Sequence, residues 1–204
     1  NRLIRMGVPL PAGKLPNDLL QEFLDDFTFA DPALLIHPGV GEDIAAVEVA
    51  REEVLVLKSD PITFATDAIG RYAVLVNAND IATAGALPRW LLTTLLFPVG
   101  STPSLILSVV QELRESCRQW GITLCGGHTE ITDAVSRPVV CGMMAGTVRK
   151  RDLIEKRRMR PGDRVLITKA AAVEGTAIIA RQLGSHLRKL GMSAAKIESC
   201  RAYL

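Results

Sequence analysis

From Tyr72 to Pro88 the chain carries one charged side chain, Asp80, in seventeen residues. A helix on a protein surface alternates charged residues along its wet side, so this stretch predicts a helix covered on most sides. Ala78, Ala82, Ala84 and Gly85 fit that close packing. A lone carboxylate in such surroundings is costly and must be paired, protonated or bound to a cation. Asn77 lies three positions before Asp80 and Thr83 three after it, a spacing that puts a polar stripe on one helical face. Asp80 can be read as a structural cap on a neighbouring loop or as a ligand to a metal or small molecule, and the second reading carries more weight.

The elements around this helix follow from apolar spacing and punctuation. Pro16, Asn17 and Asp18 precede Leu19, Leu20, Phe23, Leu24 and Phe27, which share one helical face. His37 to Asp43 is a turn-rich loop, followed by strands at Ile44–Val49 and Val54–Leu57. A helix over Ile69–Ala84, a strand over Trp90–Phe97 and a helix over Pro103–Trp120 come next. Ile122–Cys125 is a strand running into Gly126-Gly127, and Pro138–Val148 is another. The order predicts an α+β domain over 1–148, a mixed sheet with helices on one face. Seven Lys and Arg between Arg149 and Arg160 stand against Asp152 and Glu155 and mark a boundary. Pro161-Gly162-Asp163 then opens a strand, Val165–Thr168, and a helix, Gly175–Leu190. One strand and one helix cannot bury two faces, so 149–204 reads as a basic linker and the start of an incomplete α/β domain.

Composition excludes several classes of function. With 48% hydrophobic and 23% charged residues the chain is globular rather than disordered. A net charge of +2 does not argue for nucleic acid or an anionic membrane, and the basic run lacks aromatics for base stacking. That run reads first as a solvated linker and second as a phosphate-contacting strip. No stretch reaches the roughly 20 apolar residues of a spanning helix, and Asn1–Lys14 does not resemble a signal peptide, so a cytoplasmic protein is expected. Cys117, Cys125, Cys141 and Cys200 show neither a CxxC pair nor zinc spacing and are expected as reduced thiols. Serine-hydrolase elbows, HExxH helices and GxxxxGK[ST] phosphate loops are missing.

Asp43 sits in a glycine-rich loop before a strand. Asp60 stands where Pro61 is expected to end the strand Val54–Leu57, a place where ligands are commonly held. Magnesium takes carboxylate, water and phosphate oxygens in octahedral geometry, so Asp43, Asp60 and Asp80 could together hold Mg2+; singly, each is equally a turn or cap residue. Gly126-Gly127 could bring backbone N–H groups to an anion, although Gly-Gly is usually only a turn, and His128 alone reads as a hydrogen-bonded structural histidine.

Four segments together resemble one family: Gly41-Glu42-Asp43-Ile44-Ala45-Ala46-Val47, Lys58-Ser59-Asp60, the helix Val76 to Ala86, and Gly126-Gly127-His128-Thr129. They are similar to the aminoimidazole ribonucleotide (AIR) synthase, HypE and thiamine-monophosphate kinase (PurM-like) superfamily, closest to the HypE-like, AIR-synthase-related branch. That resemblance implies an N-terminal domain that dimerises through its sheet and binds Mg-ATP, followed by a larger C-terminal domain that Pro161-Gly162-Asp163 would open. It implies nucleotide-binding roles for Asp43, Ser59, Asp60, Asn77, Asp80, Gly126, Gly127 and His128, and for a basic residue near Lys156 or Arg157. The family usually has an acidic residue where this chain has His128; Glu130 is the nearest carboxylate. The function implied is ATP-dependent phosphorylation of an oxygen on a small substrate, by a kinase or by a dehydratase or synthetase that activates a carbonyl. The alternative is a non-catalytic nucleotide-binding or assembly module. Cys200 is not expected to carry a carbamoyl group, since among its sequence neighbours only Arg201 would lower its pKa.

Overall fold

The computed structural model describes residues 9–25, 31–65, 67–167 and 171–203. Helix α1 (Asn17–Leu24) leads into strands β1 (Leu34–Ile36), β2 (Ala45–Ala50) and β3 (Glu53–Ile62). Helix α2 (Ile69–Thr83), strand β4 (Leu87–Pro98), helix α3 (Pro103–Gln119), and strands β5 (Thr123–Thr132) and β6 (Val139–Arg149) complete the α+β unit. The expected position of Phe27 on α1 lies outside the described residues.

The six strands form one mixed sheet in the order β1-β2-β3-β6-β4-β5, in which only the β4–β5 pair is parallel. Period-two alternation decides what each face does. Val54 and Val56 of β3, Leu91, Leu95 and Phe97 of β4, and Val140 and Met144 of β6 are all buried and meet α2 and α3. The residues between them, among them Leu55, Leu57, Leu92, Met143 and Ala145, face the other way and are half-buried or exposed. Both long helices cover one face, as expected.

Helix α3 begins on Pro103, with Thr102 as its cap: the Thr102 hydroxyl accepts from the Leu105 amide at 3.3 Å. Helix α2 buries Ile69, Tyr72, Ala73, Val74, Asn77 and Ile81. It is covered less completely than its composition suggests, because Asn79, Ala82 and Thr83 are exposed. Gly142 of β6 lets it come this close. A Cβ there would sit 2.5 Å from the Asn77 Nδ2.

Three expectations are corrected. Pro61 does not end β3, which continues to Ile62 along β6. Pairing with β2 stops at Ala45–Leu57, so Pro61 has a strand neighbour on one side only and its missing N–H is tolerated. Gly126-Gly127 is not a turn: β5 continues through both to Thr132, with a one-residue register shift against β4 at Cys125. Gly127 adopts φ +152°, and a Cβ on it would lie 1.8 Å from the Thr93 carbonyl oxygen, so the second glycine serves the approach of β5 to β4. The basic run is also no free linker. Leu153 is buried, the Ile154 amide donates to the Ala84 carbonyl at 3.0 Å, and Glu155 is buried beneath the guanidinium groups of Arg157 and Arg158.

Beyond it come helices α4 (Val173–Gln182), α5 (Gly184–Lys189) and α6 (Ala194–Arg201). The single helix expected over Gly175–Leu190 is broken at Leu183, where Gly184 makes room for Arg201. Val165, Leu166 and Ile167 are not in a strand; they are 88%, 89% and 71% exposed, and Thr168 lies outside the described residues. Helix α4 docks on the first unit through Arg181, 3.0 Å from Asp67, and through Gln182, which donates to the Phe64 carbonyl. Among the described residues no helix is long and apolar enough to cross a membrane.

Candidate functional site

Alternation along β3 places Lys58 and Asp60 on the helix-covered face, in line with Val54 and Val56. A lysine there must find a partner. Lys58 Nζ lies 2.8 Å from Asp80 Oδ2 on α2 and 3.6 Å from Asp60 Oδ2. The carboxylate predicted to need a cation is therefore paired with an ammonium. Burial pushes the Lys58 pKa down, but the hydrogen bond it donates to Asp80 and the charges of Asp80, Asp60 and Asp43 outweigh it and hold the pKa above its ordinary value.

A second pair closes beside the first. Lys156, in a 3₁₀ turn after β6, donates to the Gly41 carbonyl and lies 2.8 Å from Asp43 Oδ2, across more than a hundred residues of chain. The Lys156 hydrogen bond lowers the Asp43 pKa against a smaller opposing effect of burial, and the charges of Lys156, Lys58 and Lys14 lower it further. Buried Glu155 positions this lysine by fixing the turn that carries it. A cavity of about 220 Å³ opens beside it, lined by Leu35, Ile36, His37, Glu42, Glu155 and Lys156. A larger surface hollow of about 1190 Å³ runs along the outer side of α3 and includes none of the candidate residues.

Glu174, in the first turn of α4, joins the same neighbourhood. Burial raises its pKa, and the negative charges of Asp60 and Asp80 raise it further. Sequence reasoning passed over Glu174 and gave Lys58 no role of its own. An acidic residue in a helical first turn looks like ordinary dipole pairing. Lys58 gave no clear signal either, because Val54 and Val56 alternate with Leu55 and Leu57 and both parities of the strand read as apolar.

The remaining candidates separate. Asn77 is fully buried, with its Nδ2 donating to the Ala73 carbonyl at 2.8 Å and its Oδ1 without a hydrogen-bond partner. It packs on Gly142 instead of forming a stripe with Asp80. Ser59 is exposed on the open face of the sheet, opposite in parity to Lys58 and Asp60. Gly127 shares a row across the sheet with Asp60, through Gly142 and Thr93. The next residue, His128, pairs in register with Thr94 on the open face, and its Nε2 lies 3.2 Å from Glu130.

Asp43, Asp60 and Asp80 are the right donors for a hard cation. Among the described residues, however, no three acidic, histidine or cysteine side chains gather closely enough to hold a metal ion. The lysines stand between the carboxylates. The set fits an ion that brings most of its own ligands, such as one already bound to phosphates, and does not fit a protein-only cage.

All four cysteines are free, and burial pushes the Cys117 thiol up to about 11.

Residues 41–148 match the family "AIR synthase related protein, N-terminal domain". The chain is 28% identical over 148 residues to a selenide, water dikinase of Carboxydothermus hydrogenoformans, covering 70% of this chain and 42% of that one. Among solved structures it is similar to the protein tt0281 from Thermus thermophilus, with a TM-score of 0.70 and 18% identity over 91% of this chain and 59% of the other. It also resembles the hydrogenase maturation protein HypE in complex with ATP, with a TM-score of 0.58 and 21% identity over 85% and 52%. The chain thus spans about half the length of the proteins it matches, and at these identities the structural likeness establishes the fold. With more than half of its residues inside the family match, the chain belongs to the AIR synthase related family and contains its PurM-like N-terminal domain.

Proposed function

We propose that this chain binds Mg-ATP at the cluster formed by Asp43, Lys58, Asp60, Asp80 and Lys156, as the nucleotide-binding part of an enzyme that phosphorylates an oxygen on a small substrate. The observation that carries it is the convergence of Asp80 with Asp60 on Lys58, beside Asp43 on Lys156. Three separate chain segments and the linker meet there, in the family whose similar structures include one with ATP. Five carboxylates, Glu42, Asp43, Asp60, Asp80 and Glu174, face three ammonium groups, Lys14, Lys58 and Lys156. A polyphosphate approaching this balance is repelled unless it brings a divalent cation, so the nucleotide enters with magnesium on it.

Bound magnesium would supply charge neutralisation at the phosphates. Lys156 is placed to meet phosphate oxygens, Asp60 and Asp80 to meet the ion or its waters, and the rigid sheet and α2 to hold them in position. Residues 149–204 would lead into the rest of the enzyme, with Val165-Leu166-Ile167 offering a β-prone run for its sheet, and a cytoplasmic homodimer formed through the open sheet face is part of this reading. The alternative, a nucleotide-binding assembly module, differs in turnover. Titration calorimetry with ATP and magnesium tests binding, and phosphate release in the presence of small carboxamides, amines and hydroxylated substrates tests chemistry. No heat of binding at millimolar Mg-ATP would reject the site.

A further inference from the structure

We propose that Lys58 sets the metal requirement of this site: its ammonium fills the cation position between Asp60 and Asp80, so the free chain offers no divalent site there, and the only metal admitted is one carried on a polyphosphate. This rests on the reading that Asp60 and Asp80 belong to the nucleotide site.

The geometry comes from rigid elements. Lys58 and Asp60 are two residues apart on β3, hence on one face, and both stay in register with β6 at Met144 and Gly142. Asp80 descends from α2, which is locked onto the same strand by Asn77 on Gly142. The two carboxylates converge on one nitrogen, at 2.8 Å and 3.6 Å, with the lysine side chain 14% exposed. A point that two carboxylates can both reach is where a hard divalent ion would otherwise be held. An ammonium there has three donors and one charge. It is within hydrogen-bond distance of Asp80 and ion-pair distance of Asp60 without the dehydration that magnesium resists, and a free metal ion must displace it against that pairing. Nucleotide changes the balance, since phosphate oxygens supply the remaining ligands of the ion and give the ammonium an anion to turn to.

The test uses the whole chain, without nucleotide, and Mn2+ followed by the electron paramagnetic resonance signal of the free ion. Wild type is expected to show no Mn2+ site tighter than about a millimolar. Lys58→Met is expected to bind Mn2+ at least about tenfold more tightly, and adding Asp80→Asn should abolish the gain. Lys58→Gln, which keeps a donor, is the second variant should the methionine prevent folding by circular dichroism. A wild-type site of micromolar affinity that Asp60→Asn removes would overturn the proposal, as would folded Lys58 variants with unchanged Mn2+ affinity. Mg-ATP titration of the same wild-type sample separates the two readings. Loss of Mg-ATP binding with a retained Mn2+ gain rejects the nucleotide assignment while keeping Lys58 in the cation position; intact binding with no gain rejects Lys58 alone.

Discussion

Asp80 and Asp43 are held by different kinds of pair, and substitution should separate them. Asp80→Asn removes the charge that Lys58 contacts at 2.8 Å while keeping size and one hydrogen bond. The expected outcome is a folded protein whose Mg-ATP affinity falls by about tenfold or more, the scale of one charge-assisted hydrogen bond. Equal titration curves for variant and wild type would sink that assignment. The Asp43–Lys156 pair is more open to solvent, and its effect is read in acid. A carboxyl whose folded pKa is lowered contributes stability above its ordinary value of 3.8, lost as the pH falls through the folded pKa. Lys156→Met should therefore reduce thermal stability slightly at neutral pH, with the difference narrowing as the pH falls below 3.8 to what the pH-independent hydrogen bond to the Gly41 carbonyl contributes. A difference of the same size at neutral and at the lowest pH would remove the Asp43 charge from the account. Screening by solvent keeps the effect small.

At the scale of elements, the double glycine makes the sharpest prediction. Gly127→Ala places a methyl 1.8 Å from the Thr93 carbonyl and demands φ +152° of a residue with a Cβ. Strand β5 must move off β4, and the thermal midpoint should drop by an amount equivalent to about 1–3 kcal/mol. Gly126→Ala has open space around it and suffers only its backbone strain, so it should cost less. Identical melting curves for the two would reject this account of the strand. The glycine pair shows where sequence reasoning reached its limit. Punctuation by Gly-Gly reads as a turn, and only the approach of a neighbouring strand, a non-local fact, turns it into strand interior. Pro61 fails in the same way, because a proline's tolerance depends on which side of the strand is unpaired. The long helices, by contrast, were legible from periodicity and caps: α2 and α3 begin where expected and end within one residue. Asp80 was legible as a residue needing a cation, since isolation among apolar neighbours is visible along the chain. That the cation is Lys58 required the fold, which lays β3 under α2.

At the scale of the molecule, one face of the sheet still lacks cover. Rows run across it from Leu57 through Ala145 to Trp90, and from Ser59 through Met143 to Leu92. Trp90 and Leu92 are each 38% exposed and Met143 45%, on the adjacent inner strands β4 and β6, whose opposite face buries Leu91, Leu95, Val140 and Met144 under the helices. A broad apolar sheet surface of this kind is costly in water and marks an association site. A second copy of the same face is its simplest match, because a two-fold axis lets one apolar patch cover its own copy. We therefore expect a homodimer in sedimentation at micromolar concentration. In such a dimer Met143→Glu would put a charge into the surface that each copy covers. Its burial cost and the repulsion between the two copies should give a monomer with unchanged secondary structure. Glu130→Gln, at the sheet edge beside His128, should leave the dimer intact. A wild-type monomer, or a Met143→Glu dimer as tight as wild type, would remove the open face as the interface and leave its apolar rows to a different partner.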